Sequence, residues 1–213
     1  MQKSGDSIET GKKGRGRPRA FDRAAALAQA TRLFWQKGYA ATSISDLTEA
    51  MGIGSPSLYA AFGSKEALYA EALRHYAESY DGLVWARFRN AETARAAVRA
   101  FLFDSAAALT GSVADNPLGC MVTLSAVGSE GYQHLGETVR EARSVTLERL
   151  ESRLARAVEE GELAPSADLR ALARFVQAVQ SGMSILARDG ADRAELEAVA
   201  DTAMRGWDAS TGG

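Results

Sequence analysis

Apolar residues recur three and four positions apart along nearly the whole chain, set among Ala, Arg and Glu, and no alternating Val/Ile/Thr run interrupts them. This period predicts an almost wholly helical protein. Asp22 reads as the cap of a first helix with Leu27, Ala30, Phe34 and Trp35 toward one face and Gly38 as its stop. Ser43 and Asp46 have the capping-box spacing, so a short second helix carries Leu47 and Met51 one turn apart and stops at Gly52. Gly54 or Ser55 caps a third helix with Pro56 in its first turn, where a missing N–H costs nothing, and this helix ends near Phe62-Gly63. Ser64 caps a fourth, expected to run to about Tyr80. Further helices are predicted over 90–109, as a short buried element in "GCMVTLSAV", as a long charged helix over 134–161, and over about 167–189 and 191–207.

Composition sharpens this into an expected class. The chain has 213 residues of which 46% are hydrophobic, enough to bury a sizeable core. No apolar run reaches the roughly 18 residues of a membrane span, and the N-terminal charges have no apolar stretch behind them, so a cytoplasmic protein without membrane contact is expected. One cysteine forms no internal disulfide, two distant histidines form no metal cluster, and no cofactor is expected. The net charge of -2 hides an asymmetry: residues 1–75 hold 11 Lys/Arg against 7 Asp/Glu, whereas residues 76–213 hold 14 against 20. Cations gather where a polyanion would bind, in a basic arm expected to be disordered over residues 1–20 and including Arg15, Arg17 and Arg19.

The glycines of "MGIGSPSLYAAFGSKEAL" suggest a phosphate loop, but a nucleotide site needs a preceding hydrophobic strand and, for a Walker-type loop, Gly-Lys-Ser/Thr in register. Both are missing. Here the glycines separate two helices of about two turns, the spacing of a helix-turn-helix whose second helix enters the major groove. Ser55, Ser57 and Tyr59 then occupy the exposed start of that helix while Leu58 and Phe62 pack inward. Lys65 opens the next helix, where a cation opposes the helix dipole unless an anion is near.

These residues carry a family resemblance. The segment from Gly16 to Tyr76 resembles the N-terminal DNA-binding domain of TetR/AcrR-family transcriptional regulators through Phe34, Gly38-Tyr39, Thr42-Ser43, Gly52-Ile53, Leu58-Tyr59, Phe62 and Ser64-Lys65-Glu66-Leu68. The resemblance implies an all-α fold: an N-terminal three-helix helix-turn-helix domain over 21–76 and a C-terminal helical ligand-binding and dimerisation domain over 77–213. It further implies a non-enzymatic repressor, a homodimer on a palindromic double-stranded DNA operator, released by a small-molecule effector. The helix from Ser55 to Phe62 would be the recognition helix, with Thr42, Tyr59 and Lys65 on phosphates and Ser43 beside them. Gly54 departs from the polar cap common in the family.

For the C-terminal part, Trp85, Phe88, Phe101, Phe103, Cys120, Met121, Thr123, Leu124 and Tyr132 are candidate pocket residues, the large or polar ones chosen because their helices should surround the expected domain centre. Packing is the competing role for each. Phe175, Val179, Gly182, Met183 and Leu186 are candidates for a dimer seam, because their stretch is more apolar and small than one bundle face requires. Cys120 is expected to be a buried packing residue. Its place at a predicted helix start leaves two alternatives open: a thiol-based redox or electrophile sensor within the same family, and, more remotely, a small helical enzyme pairing Cys120 with a histidine.

Overall fold

The structure is a computed structural model and describes residues 22–128 and 130–212. The basic arm, with Arg15, Arg17 and Arg19, lies outside the described residues. Among those described there are eight α-helices and no strand: α1 (Arg23–Lys37), α2 (Ile44–Met51), α3 (Ser55–Phe62), α4 (Lys65–Asn90), α5 (Ala94–Leu109), α6 (Gln133–Glu159), α7 (Leu169–Arg188) and α8 (Arg193–Thr211).

Local chemistry sets the first three. Asp22 accepts from the N–H groups of Ala24 and Ala25, Ser43 and Asp46 form a complete capping box, and Gly52 closes α2 in the left-handed region at φ 65°. Their apolar faces, Ala30, Phe34, Leu47, Leu58 and Phe62, close on Leu68 and Tyr69 at the start of α4. Phe34 meets Tyr69 edge-on at 5.1 Å, which fixes α1 across α4.

The next residue of α1 faces the other way. Trp35 packs edge-on against Tyr76 at 4.8 Å and Tyr80 at 5.7 Å, and its Nε1–H donates to the Gly119 carbonyl at 3.0 Å. One helix is thus shared between the small N-terminal head and the bundle of α4 to α8. In that bundle α5 packs on α4 and α8, and α6 on α7.

Two elements differ from expectation. α4 continues ten residues past Tyr80 to Asn90, so the boundary drawn at residue 76 falls inside one helix. Gly82 costs helix stability, about 1 kcal/mol relative to Ala, but Val84, Trp85 and Phe88 on the following turns are buried and outweigh it. The stretch "GCMVTLSAV" is not a helix. It forms turns with one helical bond, Leu124 N–H to the Cys120 carbonyl at 3.0 Å, because its apolar residues are held by tertiary contacts.

Candidate nucleic-acid interface and effector cavity

α3 projects from the head with its buried residues on one side only. Leu58 and Phe62 are 0% and 4% exposed, Tyr59 is 47% exposed, Ser57 and Ala60 are exposed and Ser55 is half-buried. Arg23 braces the far end of α3: its guanidinium stands 4.4 Å over the Phe62 ring and bonds both Glu71 oxygens at 2.7 and 2.8 Å. At the near end Gly54 is the N-cap and gives no side-chain bond, so the start of α3 is free of covering side-chain oxygens. A hydroxyl and a phenol therefore stand on a braced, outward face suited to base edges and phosphates.

The other expected DNA contacts divide. Ser43 is exposed at the start of α2, although its hydroxyl bonds Asp46. Lys37 pairs with the same carboxylate at 2.9 Å. The backbone N–H of Ser43, then Lys37, hold the Asp46 carboxyl well below the usual carboxylate range. Lys65 is half-buried with its ammonium 4.2 Å over the Tyr39 ring, and burial lowers its pKa. Thr42 is a correction: it is 0% exposed and its Oγ1 donates to the Gly38 carbonyl at 2.6 Å, which leaves no hydroxyl for a phosphate. A β-branched residue in this loop turns inward to close the turn.

In the bundle, α4 to α7 and the segment between α5 and α6 line a partly open cavity of about 530 Å³. Of the expected pocket residues, Trp85, Phe101, Cys120 and Thr123 line it. Five do not. Phe88 and Met121 are buried in packing, Phe103 lies under the Arg99 guanidinium at 4.0 Å, Leu124 faces Gly119, and Tyr132 is 41% exposed with its ring 4.8 Å from Tyr39. Sequence reasoning missed Tyr76, Tyr80, Asp81, Arg149 and Gln180 in the lining. The i, i+4, i+8 stripe of Tyr76, Tyr80 and Val84 was the available signal.

Burial pushes the Tyr76 and Tyr80 phenols well above their ordinary pKa. Tyr76 donates to Cys120 Sγ at 3.1 Å, while the Tyr80 hydroxyl is buried without a hydrogen-bond partner. Burial raises the Asp81 carboxyl, but hydrogen bonds from Arg149 at 2.5 Å and Arg89 at 2.6 Å outweigh it and hold it below the usual range. Cys120 is buried, as expected, and begins no helix, so the helix-dipole reason for an activated thiol does not hold.

Residues 118–125 touch both the cavity and the head. Gly119 accepts from Trp35 of α1, Ser125 Oγ is 2.9 Å from Tyr69 Oη, and Arg143 of α6 donates to the carbonyls of Val122, Thr123 and Ser125 at 2.6 to 3.1 Å. Arg188 at the end of α7 donates to Leu118 O at 3.0 Å and to the last carbonyls of α1, Trp35 O at 2.9 Å and Gln36 O at 3.2 Å. The cavity lining and the base of the head are one hydrogen-bonded unit.

Of the expected seam residues, Phe175 and Leu186 are 40% and 42% exposed, and Val179 and Gly182 are half-buried. Met183 is a correction: at 0% exposure it belongs to the bundle core, about 100° around the helix from Gly182. Ile185, 52% exposed, and the α8 residues Ala198, Thr202 and Gly206 extend the apolar outer face instead.

The turn and its projecting helix define a helix-turn-helix DNA-binding regulator, not an enzyme. A family model described as "Bacterial regulatory proteins, tetR family" matches residues 26–72. The HTH-type transcriptional repressor ComR of Escherichia coli (strain K12) is 36% identical over 209 residues, 95% of this chain and 96% of that protein. The HTH-type transcriptional regulator YezE of Bacillus subtilis (strain 168) is 30% identical over 89% of this chain and 97% of its own length. Among solved structures, a cysteine mutant of the TetR family transcriptional regulator CifR complexed with 26 bp double-strand operator DNA is 38% identical, with a TM-score of 0.83 over 89% of this chain and 98% of that one. The chain belongs to the TetR family of transcriptional regulators. No helix among the described residues is long and apolar enough to cross a membrane.

Proposed function

We propose that the protein is a ligand-released repressor that binds a palindromic operator as a homodimer. α3 lies in the major groove with Ser55, Ser57 and Tyr59 toward DNA, supported by Ser43 and Lys65 and by the basic arm with Arg15, Arg17 and Arg19 on phosphates. The single observation that carries this reading is the one-sided burial of α3, with Tyr59 half exposed beside fully buried Leu58. A second copy would pair through α7 and α8, where Phe175, Val179, Gly182 and Leu186 leave an apolar face larger than a monomer needs to expose. Its place of action is the cytoplasm, where the DNA is.

The effector would occupy the cavity at Trp85, Phe101, Cys120 and Thr123. Release follows from what residues 118–125 touch: a ligand that displaces Cys120 or Thr123 also moves Gly119 and Leu118, which hold α1 through Trp35 and Arg188. Shifting α1 changes the separation of the two α3 helices across a dimer, and a spacing that no longer matches one helical turn of DNA loses one half-site. A second reading, in which an electrophile adds to Cys120, is favoured by one observation: the cysteine lines the cavity. Under it the Cys120→Ser variant binds DNA and ignores electrophiles. Under the first, Cys120→Ser is released from DNA by the effector as the parent is.

The test uses the DNA flanking the protein's own coding region. Footprinting should protect a palindrome with half-sites one helical turn or a multiple apart, on a dimer. Protection of an asymmetric site by a monomer would sink the proposal.

A further inference from the structure

The cavity's lining restricts the chemistry of what enters it. One wall is made of rings: Tyr76 stacks on Tyr80 with centroids 5.0 Å apart, and Trp85 lies 4.5 Å from Phe101 at a tilt of 33°. Ring faces and edges favour a flat partner over a flexible chain, since a flat ring meets them with few rotors to immobilise.

The lining carries three arginines, Arg143, Arg149 and Arg174, against one carboxylate, and that carboxylate, Asp81, is already held between Arg89 and Arg149. A cationic ligand would give up its water and find no free counter-charge. Gln180 of α7 is the opposite case. It is 9% exposed, lines the cavity, and its amide bonds no described residue. A carboxamide places one acceptor and two donors on a single planar edge, and so pairs best with a donor and an acceptor side by side.

We propose that the cavity takes a flat, non-cationic ring compound bearing an amide-type edge, such as a lactam or ring carboxamide, with its ring against Trp85 and Phe101 and its N–H and C=O paired with Gln180. This deepens the effector reading above and rests on it. At about 530 Å³ the cavity suits a ligand of two or three fused rings.

The test is calorimetric titration of the full chain with four matched probes: 2-quinolinone, its N-methyl derivative, naphthalene and N-methylquinolinium. 2-Quinolinone should bind about tenfold or more tightly than each of the others, the loss expected when one buried hydrogen bond is not made. In Gln180→Met its affinity should fall to that of naphthalene, while naphthalene binds as in the parent, which also reports an intact cavity. The N-methyl comparison needs no variant and stands if Gln180→Met fails to fold. Equal or tighter binding of N-methylquinolinium, or of 1-methyl-2-quinolinone, overturns the proposal, as does an unchanged preference in Gln180→Met. Operator release is measured separately with 2-quinolinone. Binding in the predicted order without release upholds the ligand class and rejects the cavity as the effector site.

Discussion

Gly52 in the head and Gly119 in the bundle both sit in the left-handed region, at φ 65° and 75°, yet they do different jobs. A Cβ at Gly52 meets nothing within 4 Å, whereas one at Gly119 meets Leu124 Cδ1 at 2.5 Å and the Ser184 carbonyl at 2.8 Å. Gly52 supplies a backbone angle for a turn that its neighbours in sequence already demand. Gly119 supplies room for a segment to run against α7 and receive the Trp35 indole. The contrast extends to the two proposed sites: the proposed DNA-reading face is built from contiguous residues, and the proposed effector cavity from side chains that only the folded bundle brings together.

Substitutions can break this contrast in order of expected size. Gly119→Ala should be the most severe, costing about 2 to 4 kcal/mol of unfolding free energy, because the backbone of Ser184 cannot yield as a side-chain tip would. Chemical denaturation measures it, and a loss as small as that of Gly52→Ala would mean that the 118–125 segment is not fixed. Arg188→Ala removes three carbonyl contacts on a half-buried guanidinium and should cost about 1 to 2 kcal/mol. It should also weaken DNA binding without touching the DNA face, and unchanged operator affinity would disconnect α7 from the head. Gly52→Ala should cost about 1 kcal/mol, the left-handed penalty alone.

The smallest effect is a pH dependence at Asp46. Its folded carboxyl titrates below its unfolded value, so the stabilisation is present above the ordinary carboxylate range and is lost as pH falls through the folded pKa. Asp46→Asn should therefore be less heat-stable than the parent near neutrality, and the gap should close in acid. A gap that widens in acid would give the sign to another group.

How much of this was legible in the sequence follows from the same contrast. Asp22, Ser43, Gly52 and Pro56 mark helix ends through bonds to residues two to four away, so α1 to α3 have the limits read from them. α4 was read too short because Gly82 signals a break, and the burial of Trp85 and Phe88 that carries the helix through it is a tertiary fact. Trp85, Phe101, Cys120 and Thr123 could be placed at the cavity, but Gln180 could not. A lone glutamine on an amphipathic helix carries no signal until α4 and α6 close over it. Thr42 and Met183 failed because both face inward, Thr42 into its own turn and Met183 about 100° around α7 from Gly182.

The central claim is that the outward face of α3 reads DNA. Fluorescence anisotropy with the flanking palindrome and a scrambled duplex of equal length, for the parent and Tyr59→Ala, tests it most directly. The account predicts a loss of about 1 to 3 kcal/mol on the palindrome, little change on the scrambled duplex, and unaltered helical content and dimer mass. Equal affinity of parent and variant for the palindrome would contradict it.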